Sequence, residues 1–213
     1  MVMIRLLAKH RRVGHAVIWS VVVTIALLAL FPTSYGMPPL NMVREFALTR
    51  GLPVFLGALA GACVSGVTPA MEALAGAHVK RARACVLAGV VAAQLIVLVG
   101  SVGLMNIALD VGVGGRDLLI FLQGTLLFQS IAIISAYLFL GPALWVIPLT
   151  AFFVQVFFPY RTYWEPNWWS ALLTVNPATV SATIALAVVG MILMCRTHPG
   201  IITRWRQRAP VFV

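Results

Sequence analysis

Charge is what this chain has least of. Its 213 residues hold five acidic and fifteen basic side chains, so that 9% are charged, where a soluble globular domain has roughly a quarter. So few ionised groups cannot cover a water-facing surface, which excludes an ordinary soluble domain. Cysteine is sparse too. Cys63, Cys85 and Cys195 stand singly in or beside apolar runs, at no metal-ligand or redox spacing, and are read as small apolar residues.

Catalytic constellations are missing as well. Ser65 in CVSG lacks the flanking glycines of a nucleophile elbow. There is no H-E-x-x-H, no pair of acidic residues inside an apolar run and no Walker sequence. The expectation is a chain that is not an enzyme, with no metal and no cofactor of its own. His10, His15, His78 and His198 lie at or beyond the ends of apolar runs, and no carboxylate lies within one, so no proton relay is visible. An ion-coupled pump is disfavoured.

What is present is apolar: 62% of the residues. A helix rises about 1.5 Å per residue, and a hydrocarbon core of about 30 Å therefore takes roughly 20 of them. On that ruler residues 13–31 form a first span, residues 52–67 a shorter second and residues 84–109 a third. Residues 118–160 run for 43 positions without a charge, too long for one crossing. Gly141 and Pro142 mark a turn that divides the run in two. Asn176-Pro177, a capping residue followed by proline at the first helical position, opens a sixth span that ends at Cys195.

Direction follows from the basic residues. Arg5, Lys9, Arg11 and Arg12, then Lys80, Arg81 and Arg83, then Arg196, Arg204, Arg206 and Arg208 all fall on one side of a six-span chain. By the positive-inside rule that side is the cytoplasm, and both termini face it. Four of the five acidic residues, Glu45, Asp110, Asp117 and Glu165, fall outside with Arg44, Arg50, Arg116 and Arg161. The positive charge is thus a topology signal and not a nucleic-acid footprint. The tryptophans agree: Trp164, Trp168 and Trp169 gather before the last span on the outer side, while Trp19, Trp145 and Trp205 fall near inner boundaries.

Four smaller features carry the rest. The loop at 67–84, VTPAMEALAGAHVKRARA, reads as a short helix: Thr68 caps, Pro69 suits the first turn, Glu72 favours the N-terminal dipole, Met71 and Leu74 share a face and Gly76 ends it. So short a helix must pack on something, either its own bundle or another protein. Lys80, Arg81 and Arg83 after it mark the headgroup level. Gly57 and Gly61 form a G-x-x-x-G step for close helix packing, within the chain or between two copies. Gln94, Gln123, Gln129 and Gln155 are the most polar groups inside the spans, and serve either as helix-to-helix hydrogen bonds or as the lining of a path.

The layout resembles the six-span permeases of ABC-2 type exporters that carry no ATPase of their own. It does so through the basic leader at residues 1–12, the loop around TPAMEALAGA, the inner turn at Gly141-Pro142 and the outer YRTYWEPNWWSALL before the last span. The resemblance implies an all-α, polytopic protein of a bacterial cell membrane: a membrane-surface helix at 1–12, a six-span domain at 13–195 and a basic cytoplasmic tail at 196–213. It further implies a cytoplasmic coupling helix between spans two and three, and an outer re-entrant element before span six. Pro69, Met71, Glu72 and Leu74 would contact a separately encoded ATPase dimer that binds ATP and Mg, and a second permease chain, identical or related, would complete the pathway. Two rivals stay open: the substrate-capture subunit of a vitamin-type importer, and a non-transport immunity or assembly factor.

Overall fold

The computed structural model describes residues 13–29, 51–64, 77–109, 114–139, 145–157 and 175–196. They form six helices and no strand: α1 (Val13–Ala29), α2 (Leu52–Val64), α3 (Ala77–Leu109), α4 (Gly115–Leu138), α5 (Val146–Phe157) and α6 (Pro177–Arg196). The leader at 1–12, the loop at 67–76 with Pro69, Met71, Glu72 and Leu74, the turn at 141–142, the Trp-rich stretch at 158–174 and the tail at 197–213 lie outside the described residues.

Proline sets several of the starts. Pro53, Pro148 and Pro177 each fall in a first helical turn, where the missing N–H has no intrahelical acceptor to lose. At α6 the Asn176 side chain accepts from the Thr179 N–H at 2.9 Å, which caps the helix. The uncharged 43-residue run indeed divides, into α4 and α5. Three helices, α3, α4 and α6, are long and apolar enough to cross a membrane. α3 is longer than the third span expected from sequence. Its 33 residues extend about 50 Å, so Lys80 and Arg81 continue the helix and do not sit in a loop.

α4 is the hub, packing against α2, α3, α5 and α6. Contact partners fix the directions. Ala16 clusters with Leu87 and Val90, and Val23 packs with Leu98 and Val102, so α1 and α3 run parallel. Gly57 lies against Phe128 and Gly61 against Ala132, so α2 runs parallel to α4. Gly190 approaches Ser130, Ile133 and Ile134, and Met194 clusters with Ala136 and Tyr137. α6 therefore shares the direction of α4, opposite to α1 and α3. Val13, at the start of α1, and Met194, near the end of α6, belong to the same apolar cluster at one end of the bundle.

Polarity is distributed inside out. Ile18, Val22, Ile96, Ile107, Phe157, Ile184 and Met191 are exposed, whereas Ser20, Thr24, Gln94, Thr125, Gln129 and Thr183 are buried. In water this arrangement would forfeit the hydrophobic driving force. In a bilayer it is the stable one, because lipid tails solvate the apolar faces while the polar groups find one another inside. The described helices are those of a membrane protein.

Candidate functional site

Two apolar clusters fill the bundle, and a polar layer divides them. One cluster holds Ala16, Leu87, Val90 and Ile133; the other holds Leu52, Leu56, Leu98, Val102 and Phe121. Along α1, α3 and α4, the residues lying between the two are Ser20, Gln94 and Gln129. All three are fully buried. Gln129 Nε2 donates to Gln94 Oε1 at 2.7 Å, and Gln94 Nε2 donates to Ser20 Oγ at 3.0 Å. Ser20 Oγ in turn donates to the Ala16 carbonyl at 2.7 Å. One chain of hydrogen bonds thus ties three helices together at the level where hydrocarbon offers no alternative partner.

One turn farther along, Thr24 on α1 and Thr125 on α4 are also fully buried. Their hydroxyls, and the carbonyl oxygen of Gln129, have no hydrogen-bond partner among the described residues. Helical hydroxyls normally donate to the carbonyl four residues back. Ser20, Ser130, Thr150, Ser181 and Thr183 all do so here. Thr24 and Thr125 make no such bond. Each of these atoms is a buried polar group that could pair with water or with a hydroxylated or amide-bearing group.

The four glutamines do not converge. Gln94 and Gln129 meet in the seam. Gln123 lies six residues from Gln129, about 120° away around α4, and lines a cleft between α3, α4 and α6. Gln155 is buried on α5. Gln123 and Gln155 each make interactions of their own.

The glycine step faces inward. A methyl group on Gly57 would lie 2.7 Å from the Phe128 carbonyl carbon, and one on Gly61 would lie 3.0 Å from Ala132 Cβ. The step serves packing of α2 on α4 within one chain. Trp164, Trp168 and Trp169 lie outside the described residues.

Arg83 departs from the sequence expectation. Read as a headgroup-level charge, it is instead 1% exposed. Its Nη2 donates to the Met194 carbonyl of α6 at 3.2 Å, and its guanidinium lies 5.3 Å from the centre of the Tyr137 ring of α4. Met194 is the third residue from the described end of α6, and its carbonyl accepts a charge-assisted bond from the guanidinium. The ring face adds a cation–π contact. Arg83 joins α3, α4 and α6 at one end of the bundle.

Sequence reasoning passed over Ser20, Thr24, Thr125 and Tyr137, and placed Arg83 at the headgroup level. A signal for the first pair was available, since Ser20 and Thr24 stand four apart, on one face of an α1 that is otherwise apolar after His15. No group of His, Cys, Asp and Glu able to hold a metal ion occurs among the described residues. No family model, no curated protein and no solved structure matches this chain.

Proposed function

We propose that the chain is the transmembrane permease subunit of an ABC exporter, moving an amphipathic, peptide-like or lipid-like substrate with ATP hydrolysed by a separate ATPase subunit. In this reading the six helices are six spans, both termini are cytoplasmic and two permease chains enclose one pathway. Alternation of helix direction supports it, since the start of α1 and the end of α6 lie at the same end of the bundle. So does the seam, which offers polar groups but no ionisable relay for ion coupling.

The observation that supports the reading most is the length of α3, a helix of 33 residues that carries Arg83 near its start. The helix runs unbroken from Ala77, the last residue of TPAMEALAGA in the sequence, to Leu109. Arg83, two turns in, grips α6 and stacks on α4. Force applied at residues 69–74 by a closing ATPase dimer would pass into three helices at once through this lever.

Affinity purification of the tagged chain from its own membranes tests the proposal. An ABC ATPase should co-purify, and replacing Glu72 with Lys together with Leu74 with Asp should abolish that association while leaving the chain membrane-inserted. Recovery of the ATPase at full yield with the double variant sinks the coupling role, and recovery of no ATPase with the native chain sinks the exporter reading.

A further inference from the structure

The cleft between α3, α4 and α6 has a volume of about 320 Å³ and is walled mainly by Leu95, Leu119, Leu122, Leu126 and Ile184, with Gln123 and Thr183 its polar lining. Nine-tenths-buried Gln123 and Thr183 mark its floor, and exposed Leu119, Val175 and Ile184 its rim. It opens onto the apolar outer faces of the helices, where the surrounding medium is hydrocarbon. From Leu119 to Leu126 it follows α4 for about 10 Å, much of the 15 Å or so of one leaflet's hydrocarbon.

Its ends differ chemically. Arg116 stands three residues before Leu119, one turn above it on the same face of α4, and is exposed. Residues 114–117, the first turn of α4, are exposed beside it, and Val175, at the mouth of α6, lines the same end of the cleft. α4 and α6 run in the same direction, so both helix N-termini, each carrying the positive end of a dipole, lie toward the Arg116 end of the cleft. Asp117, the acidic neighbour, accepts from the Gly114 N–H at 3.3 Å and so caps the helix. Cation above and apolar groove below is the order of groups in an anionic phospholipid, read from headgroup to tail.

We propose that this cleft holds one acyl chain of an anionic phospholipid of the leaflet at the Arg116 end, with the lipid phosphate against Arg116 and the first turn of α4. The site does not depend on the exporter reading. It requires only that the helices sit in a bilayer. Its occupant is a resident lipid that seals the gap between α3, α4 and α6.

The full chain, reconstituted in phosphatidylcholine vesicles doped with phosphatidylglycerol bearing a photoreactive group in its acyl chain, provides the test. After irradiation and digestion, label should concentrate on Leu122, Leu126 and Ile184, well above Val22 and Ile25, which are exposed on α1. Photoreactive phosphatidylcholine should label the cleft more weakly, and Arg116→Gln should remove the difference, about fivefold for one basic residue at a membrane surface. Leu122→Trp, which narrows the cleft, should abolish cleft labelling without changing that of α1. Ile184→Trp, at an exposed rim position that tolerates bulk, should do the same from the opposite wall. Labelling that follows exposure alone, or a cleft left unlabelled because a second copy or another segment covers it, overturns the lipid site. A preference for phosphatidylglycerol that survives Arg116→Gln overturns the headgroup contact.

Discussion

Arg83 Nη2 and the carbonyl oxygen of Met194 lie 3.2 Å apart, although 111 residues separate them in the chain. A hydrogen bond from a charged donor contributes about 1.5–3 kcal/mol. Arg83→Gln should therefore lower stability by about that amount in mixed-micelle unfolding. Arg83→Lys keeps the charge but not the planar group over Tyr137. It should fall between the two, and a lysine variant as unstable as the glutamine variant would show that the charge contributes nothing at Met194.

Gly57 and Gly89 make a controlled pair. A Cβ at Gly57 would lie 2.7 Å from backbone carbon of Phe128, which cannot rotate away, whereas one at Gly89 meets nothing within 4 Å. Gly57→Ala should cost about 1–3 kcal/mol, the usual range for overpacking. Gly89→Ala should be neutral or slightly stabilising, because alanine favours the helix. Gly61→Ala, with Ala132 Cβ at 3.0 Å, should cost less than Gly57→Ala. Measuring all three by the same unfolding transition separates contact from helix propensity.

Where the sequence was legible, the signals were local. The cap at Asn176-Pro177 and the division of the uncharged run into α4 and α5 each rest on residues that are neighbours in the chain. The G-x-x-x-G step announced close packing but not its partner, since Phe128 and Ala132 lie some seventy residues on. Arg83 was misread for the same reason. A basic residue just before an apolar span looks like a boundary charge until α6 brings its C-terminal carbonyl alongside and α4 its tyrosine. The seam stayed hidden because Ser20, Gln94 and Gln129 are 74 and 35 residues apart along the chain. Only the parallel run of α1 and α3, with α4 against α3, sets the three at one depth.

Gln94 and Gln129 should prove coupled. Hydrogen bonds between membrane helices average about 0.6 kcal/mol in double-mutant cycles, with a maximum near 1.7. The 2.7 Å separation and complete burial of this pair place it toward the upper end of that range. A cycle built from Gln94→Leu, Gln129→Leu and the double variant should return a coupling energy of about 1–1.7 kcal/mol. Additivity within error would mean that the two amides do not meet.

Thr125 offers the sharpest separation between a structural and a functional seam. A buried hydroxyl without a partner costs about 1–3 kcal/mol, and valine has the same shape without that polar group. Thr125→Val should then be neutral or stabilising. Ser130→Ala, five residues along the same helix, loses a 2.7 Å bond to the Leu126 carbonyl and exchanges it for better helix propensity, so it should change little. On the exporter reading, transport assayed in vesicles with an ATPase that co-purifies with the chain should respond differently. If the hydroxyls of Thr24 and Thr125 and Gln129 Oε1 meet the cargo, Thr125→Val lowers the transport rate while raising the unfolding midpoint, and Ser130→Ala leaves both near the native values. A Thr125→Val chain that transports at the native rate assigns the seam to holding α1, α3 and α4 together.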